Sequence, residues 1–324
     1  MAHQVDTMAY AGDVPWHGLG KKVLHDLTPE QMMKQAGVDW KVEEVESFVT
    51  FNGQLIPTGQ KCLIRSDTGT LLSNVGMDWH TVQNEEAFAF FNEYVRTGGM
   101  DMETAGSLKG GKVVWALAKV KESFEVFGED RVDAYLLFSN PHEYGKPIDI
   151  RFTPIRVVCN NTLTLSLRRI SQNAVRISHK VKFDAEQVKT TLGIARTKLA
   201  EYKEAAEFLG SKRYTKKTLE EYFKEVFPYT GKQKGVEGVG VIQKEDNKKI
   251  VSNNAKRCLE LVESQPGAEF AEGTWWQAIN AVTFNTDHLQ GSDREKRLHS
   301  QWYGTNQQRK VAAFNKVMEY AKAA

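Results

Sequence analysis

The sequence has few cysteines and no long apolar run. Its three cysteines, Cys62, Cys159 and Cys258, lie far apart in a chain of 324 residues. This spacing excludes a disulfide framework and a zinc-finger pattern, and it is typical of a reducing compartment. No apolar stretch approaches the roughly 20 residues of a transmembrane helix, and the first residues lack a basic segment followed by an apolar one. We therefore expect a cytoplasmic protein without a signal peptide or a membrane partner.

The sequence also lacks the motifs of common catalytic and metal sites. Its eight histidines show no ligand spacing such as H-x-x-x-H, and neither a G-x-S-x-G string nor a kinase-type motif set occurs. Residues 106–112 match G-x-x-x-x-G-K, but Val113 follows where a phosphate-binding loop needs Ser or Thr. We expect a protein that is not an enzyme and that uses no metal and no cofactor.

Acidic residues are absent from residues 151–182, although the whole chain is nearly neutral. The chain carries 43 basic and 41 acidic residues, and its formal net charge is +2. Arginines separated by hydroxyl and amide side chains suit a run of phosphates, because the guanidinium group is a planar donor fork. The alternative is a buried strand and a helix whose arginines pair with acids elsewhere. The basic residues are Arg151, Arg156, Arg168, Arg169, Arg176, Lys180 and Lys182, with His179 beside them.

Two other groups of residues favour nucleic-acid binding. Lys109 and Lys112 lie at a predicted glycine-rich hairpin tip, which can approach a backbone closely. Trp16, His17 and His80 can stack on bases, and stacking contributes about 1–3 kcal/mol per base in single-strand binders. The alternative for Trp16 and His17 is a place in the core. Trp79 and Phe152 are further stacking candidates.

The first half of the chain predicts an antiparallel sheet with packed helices. We expect residues 1–27 to be irregular and Thr28 to cap a short helix that has Pro29 in its first turn. Alternating apolar residues from Trp40 onward predict a strand that turns at Asn52-Gly53 into the next strand of a meander.

Further strands and one ambiguous segment follow. Residues 102–120 predict a hairpin, and residues 133–140 and 148–158 predict two strands. Asn161 or Thr162 would cap a helix with leucines at helical spacing, although TLTLSL also alternates as a strand does. Helix is the preferred reading of that segment and strand the competing one.

The second half of the chain predicts helices. Asp184 begins a long amphipathic helix, LEEYFKEVF forms a second, and three more are expected near residues 250–264, 275–290 and 305–322. Residues 230–249 are rich in glycine and charge, which is typical of a flexible linker. The expected class is therefore α+β. We expect a sheet domain with a basic groove at residues 1–183 and a helical region at 184–324.

Several strings resemble a known family. They are PWHGLG at 15–20, TVQNEEAFAFFNE at 81–93, ETAGSLKGGKVVWALAKV at 103–120, FTPIRVVCNNTLTLSL at 152–167 and WWQAINAV at 275–282 with Asp287-His288. Together they resemble a phage/plasmid-like protein family known as a domain of unknown function. The resemblance implies a phage, prophage or plasmid protein in the host-cell cytoplasm. It supplies no catalytic residues.

The predicted order of elements carries a second resemblance. A strand meander, a helix and a basic strand-to-helix junction are similar in outline to the RecT, Redβ and Erf class of annealing proteins, which assemble as rings or filaments. This resemblance implies binding and annealing of single-stranded DNA in recombination or replication, homo-oligomers, and a possible host or phage replication partner. The alternative is a non-catalytic phage protein that inhibits a host defence system by sequestering a nucleotide or a protein.

Overall fold

The computed structural model describes the greater part of the chain. The described residues are 5–12, 19–128, 130–156, 161–162, 174–186, 188, 195–229, 250–290, 300 and 304–324. Their strands are β1 (Val5–Tyr10), β2 (Lys21–Lys22), β3 (Val42–Phe51), β4 (Gln54–Arg65), β5 (Leu71–Gly76), β6 (Met100–Leu108), β7 (Val113–Val126), β8 (Asp130–Pro141), β9 (Ile148–Arg156), β10 (Asn161–Thr162) and β11 (Ala174–Ile177).

The larger sheet has the strand order β10-β9-β8-β7-β6-β1-β2, and β11 also pairs with β9. All described pairings in it are antiparallel except the short one between β1 and β2. Strand β7 shows how both faces are used, because successive side chains point to opposite sides. Val114 and Ala116 belong to one apolar core, whereas Trp115 and Leu117 belong to another.

The expectation of irregular structure at residues 1–27 is wrong for Val5–Tyr10, which form strand β1. Strand β1 pairs with β6 through Ala9 and Ala105, and Met8, Ala9 and Tyr10 are buried. The six residues of β1 show no clear alternation. Their strand conformation comes from the free edge that β6 offers, and pairing of this kind leaves no local signal in the sequence.

The smaller sheet is the predicted meander, with the order β3-β4-β5. Asn52 and Gly53 form its first turn with φ angles of 50° and 76°, as an Asn-Gly hairpin requires. Only the base of this sheet is buried. Val42 and Leu63 lie in the core that also holds α1 (Pro29–Gln35) and α2 (Asn84–Ala89).

The remaining described helices lie after residue 90 and mostly form the second half of the chain. They are α3 (Asn92–Arg96), α4 (Ala195–Ser211), α5 (Lys216–Val226), α6 (Asn253–Ser264), α7 (Trp275–Phe284) and α8 (Thr305–Ala323). A 3-10 turn at Ala268–Ala271 precedes α7, and a π turn at Asn285–Leu289 continues it. The three helices predicted after the linker are therefore present.

The helical half packs against one end of the larger sheet. Val126 of β7 and Val132 of β8 share a buried cluster with the helices. The indole Nε1 of Trp276 donates to Asp130 Oδ2 at 3.1 Å. A Cβ atom at Gly210 would overlap the Phe127 ring, so only glycine allows α4 to approach this closely. The division into two units at residue 183 stays a prediction, and the linker at 230–249 lies outside the described residues.

The segment after β9 is described only at its start. Asn161 and Thr162 pair with β9 as strand β10, in an extended conformation that an N-cap residue also has. Residues 163–173, which hold the predicted helix, lie outside the described part. The α+β class is confirmed by the antiparallel sheets and the C-terminal helices. None of the helices in the described segments is both long and apolar enough to cross a membrane.

Candidate nucleic-acid interface

A cleft of about 210 Å³ collects basic side chains from separate parts of the chain. Lys109 comes from the β6–β7 turn, and Lys146 comes from the β8–β9 loop. Arg151 and Arg176 come from the neighbouring strands β9 and β11. The cleft thus unites three of the predicted binding residues and adds Lys146.

Asp149 lies between the two arginines of the cleft. Its two carboxylate oxygens accept from Arg151 Nε and Nη2 at 2.6 Å each. Arg176 is its cross-strand partner and donates from Nε to the same carboxylate at 3.1 Å. The side chain of Arg151 is 14% exposed, whereas that of Arg176 is 64% exposed. Two cations therefore share one anion, and most of the Arg176 side chain is open to solvent.

Lys109 occupies a backbone conformation that few side-chain-bearing residues adopt. Its φ is 56°, and Gly110 and Gly111 follow with 69° and 96°. A Cβ atom at Gly111 would collide with the Arg65 side chain, so the hairpin tip lies against that residue. The Lys109 Nζ atom is 3.7 Å from Glu143 Oε2. This is a long ion pair, and it leaves the ammonium group only loosely held.

The loop that carries Glu143 and Lys146 is anchored by His142. The His142 backbone N–H donates to Lys112 O at 2.8 Å. Its ring Nε2 donates to Asn84 Oδ1 at 3.0 Å, because the amide nitrogen of Asn84 already donates to two backbone carbonyls. Burial, together with the charge of nearby His179, lowers the His142 pKa to about 3. The imidazole is therefore neutral at physiological pH and serves as a fixed structural group.

The first turn of α8 lines the cleft with Gln307 and Gln308. A buried ion pair anchors α8 just after this turn: Lys310 Nζ lies 2.7 Å from Asp287 Oδ1. The two side chains are 1% and 0% exposed. Burial lowers the Lys310 pKa, the Asp287 charge opposes this, and the nearby Arg151 charge lowers it further. The charge of Arg151, which lines the cleft, therefore acts on the lysine that supports this turn.

A second anchor fixes the same turn of α8. Asn306 Nδ2 donates to Thr286 O at 2.8 Å, within the π turn that follows α7. Arg309 donates to Gln290 Oε1 at 3.0 Å, and its guanidinium group lies 5.3 Å from the Phe227 ring centre. A π turn frees backbone groups that a regular α-helix would use internally, and such turns are frequent at functional sites. The glutamines at the cleft are therefore presented by a rigid support.

The other predicted binding residues that the structure describes do not line the cleft. Lys180 pairs with Asp78 at 3.2 Å, Lys182 and His80 are exposed, and Lys112 is half-buried on the hairpin turn. Trp79 is buried and stacks on His179 with ring centres 4.0 Å apart, so its face is not available to a base. Phe152 packs against the core and is only partly exposed. The residues Trp16, His17, Arg168 and Arg169 and the side chain of Arg156 lie outside the described part of the chain.

A family model for a domain of unknown function, DUF932, matches residues 71–316. The chain belongs to this family. The matched span begins at the first residue of β5 and contains all the residues that line the cleft. No curated protein and no solved structure matches the chain significantly.

Sequence reasoning missed Lys146, Asp149 and the two glutamines of the cleft. Lys146 follows Gly145 in a loop that was predicted only as a connection. Asp149 lies two residues before Arg151, outside the acid-free stretch, and the pleat of β9 places it on the same face as Arg151. A search for acids at two-residue spacing would have found it. The glutamines carry no local signal, because they reach the cleft only through the packing of α8.

A larger cavity of about 570 Å³ lies elsewhere on the described surface. It holds four lysines and arginines but also four carboxylates, among them Asp133, which pairs with Arg131 through Nε at 3.0 Å. The smaller cleft has four basic side chains against two carboxylates, Glu143 and Asp149. Because the smaller cleft has an excess of positive charge and the larger cavity does not, the smaller cleft is the better candidate for an anionic ligand.

Proposed function

We propose that the protein binds single-stranded DNA and that the cleft beside β9 and β11 takes phosphates of its backbone. The observation that carries this proposal is the convergence of Lys109, Lys146, Arg151 and Arg176 on one small cleft. Arginine and lysine supply the charge-assisted hydrogen bonds that phosphate oxygens accept, and each neutralised phosphate releases counterions.

Asp149 shapes how a phosphate would bind. It orients Arg151 through two short hydrogen bonds and holds Arg176 by a single longer one. A phosphate can therefore take the exposed donors of Arg176 without removing the support of Arg151. Arg151 acts as a fixed positive centre, and Arg176 acts as the group that contacts the ligand.

The size of the cleft favours a segment of a strand over a free nucleotide. Pockets for whole small molecules have about 300–1,000 Å³. The cleft has about 210 Å³, which suits a phosphate with part of its sugar. The side chains of Gln307 and Gln308 both donate and accept hydrogen bonds, so they can contact sugar or base edges at its rim. These features support binding of a chain that continues beyond the cleft.

The proposed activity is annealing of complementary strands in phage or plasmid recombination or replication, in the cytoplasm of a host cell. Two resemblances support it: several strings resemble phage and plasmid proteins, and the order of elements resembles that of annealing proteins. The mechanism involves no covalent step. Basic side chains hold the phosphates of one strand and reduce its repulsion from the second, so that the bases can pair.

Arg176→Ala tests the proposal directly. The variant should weaken binding of a fluorescent single-stranded oligonucleotide and reduce the slope of log affinity against log salt by about one unit. Arg131→Ala is the matched control. Arg131 also pairs with an aspartate through Nε at 3.0 Å and is 52% exposed, but it lies at the larger cavity. The control should bind as the unaltered protein does.

Two outcomes would contradict the proposal. Equal affinity of the Arg176 and Arg131 variants would remove the cleft from the binding surface. Competition by a mononucleotide as strong as that by an oligonucleotide of equal phosphate concentration would instead favour the sequestration of nucleotides. Annealing is measured separately, as the rate at which two complementary oligonucleotides form duplex with and without the protein.

A further inference from the structure

The loop between β8 and β9 carries an exposed tyrosine beside the basic cleft. Tyr144 is 70% exposed, and it lies between Glu143 and Lys146, which both line the cleft. Because neighbouring Cα atoms are about 3.8 Å apart, the backbone of Tyr144 starts at the rim of the cleft. None of the described residues that line the cleft is aromatic. Tyr144 therefore adds an aromatic surface to a site that has none of its own.

The backbone holds Tyr144 at a defined place. The Lys146 N–H donates to Glu143 O at 3.2 Å, and Gly145 has a φ of 78°. A positive φ at this third position is what a type II turn requires, so Tyr144 occupies the corner before it. The Tyr144 N–H donates to Ser73 Oγ on β5 at 3.1 Å. The turn is thus tied to both sheets, and its tyrosine projects from a supported backbone.

The charges around Tyr144 distinguish it from other exposed aromatic residues. Phe48 and Phe51 are also largely exposed, but they lie on a stretch, residues 47–60, that has no charged side chain. Tyr144 has Lys146 two residues further on, and its neighbour Glu143 pairs loosely with Lys109. Proteins that bind single strands combine cations for the backbone with aromatic rings for the bases. Tyr144 and the cleft supply this combination.

Stacking on a tyrosine depends on whether the base is paired. In a single strand the face of a base is accessible, and it can stack on an aromatic ring whatever its sequence. In a duplex both faces are covered by neighbouring bases, so a ring reaches them only after unstacking, which costs free energy. Phosphates are present in both forms, so contacts to phosphate alone do not separate single strands from duplex.

We propose that Tyr144 selects single-stranded DNA over duplex, by stacking on a base next to the phosphate held in the cleft. The inference rests on the proposed function and names the residue that recognises unpaired bases. It also has a consequence for annealing. When the complementary strand arrives, stacking within the duplex replaces stacking on Tyr144, so the protein holds the product less tightly than the strand it bound first.

The first experiment compares Tyr144→Ala with the unaltered protein on a fluorescent single-stranded oligonucleotide and on its duplex. Single-strand affinity should fall about 5- to 150-fold, the effect of removing one stacking ring, whereas duplex affinity should stay the same. Tyr144→Phe keeps the ring and should bind as the unaltered protein does. Phe51→Ala is the matched control, since Phe51 is 63% exposed but lies at the hairpin tip. It should bind normally, and all three variants should keep the melting temperature.

The second experiment separates stacking from a structural effect on the cleft. An abasic oligonucleotide of the same length keeps the phosphates and lacks the bases, so Tyr144→Ala and the unaltered protein should bind it equally. The slope of log affinity against log salt should also be unchanged in Tyr144→Ala, because tyrosine neutralises no phosphate. Arg176→Ala should instead reduce that slope by about one unit.

Each contrary outcome has a distinct meaning. Equal losses of Tyr144→Ala on the normal and the abasic oligonucleotide would show that Tyr144 only supports the loop, and would overturn the inference. Unchanged single-strand affinity in Tyr144→Ala, with salt-dependent binding by the unaltered protein, would overturn the inference and leave the proposed function intact. Absence of oligonucleotide binding by the unaltered protein would overturn both.

Discussion

The buried Lys310–Asp287 pair allows a quantitative test of how α8 is held at the cleft. Its atoms are 2.7 Å apart, and neither side chain is more than 1% exposed. Lys310→Met leaves the Asp287 carboxylate in the interior without the Lys310 ammonium group. Breaking a buried pair in this way costs about 3–5 kcal/mol. At about 2 °C per kcal/mol for a chain of this length, the melting temperature should fall by about 6–10 °C.

Two further variants separate the pair from other effects. Lys310→Met/Asp287→Asn removes both charges, so it should recover at least half of the lost stability, because the main cost of the single change is a buried carboxylate that has lost its lysine partner. Lys316→Met is the control on the same helix. Lys316 pairs with Glu225 at 2.9 Å but is 38% exposed, so its loss should cost less than about 1 kcal/mol.

The assay is urea unfolding followed by circular dichroism, with oligonucleotide binding measured on the folded variants. Lys310→Met should also weaken binding, because the turn that presents Gln307 and Gln308 is loosened. A loss below about 1 kcal/mol for Lys310→Met would place the pair among solvated ones and refute the reasoning. Equal losses in the single and double variants would show that the lysine acts through packing.

Three further predictions follow from the described contacts. Lys109→Glu/Lys112→Glu should weaken oligonucleotide binding without lowering the melting temperature, and a large fall in that temperature would mean that these lysines are structural. Stability should decrease as pH falls from 6.5 towards 3, by at most about 1.4 kcal/mol per pH unit, because the unfolded chain binds a proton that native His142, with its pKa of about 3, does not. His142→Gln should flatten that slope in urea titrations, and an unchanged slope would assign it to other groups. Mild proteolysis should cut first within residues 231–249, and the two fragments should elute together in gel filtration because helices on both sides share one buried cluster; separate elution would support two independent units.

Local sequence rules predicted much of the fold. Thr28 caps α1 with Gln31 completing the capping box, and Asn52-Gly53 forms the turn of the meander. Both depend on interactions within a few residues, so they can be read from the chain. The helices after residue 250 were found for a related reason, since their apolar stripes follow the helical period. Strand β1 was missed because its conformation depends on pairing with β6, far along the chain.

For the candidate site, the sequence identified a basic stretch, and tertiary structure decided which of its residues act together. Lys109, Arg151 and Arg176 meet in the cleft because the β6–β7 turn, the first half of β9 and the second half of β11 lie at the same end of the larger sheet. Asp149 shows that a stretch of sequence without acidic residues can still lie beside one in the structure. It is two residues before Arg151, on the same face of β9, and it is the cross-strand partner of Arg176. Residues 47–60, at the tip of the β3–β4 hairpin, are the opposite case. Their lack of charge is plain in the sequence, but only the structure shows that nothing within the described chain covers their apolar side chains. Charge and composition are properties of the chain, whereas proximity and exposure are decided by packing.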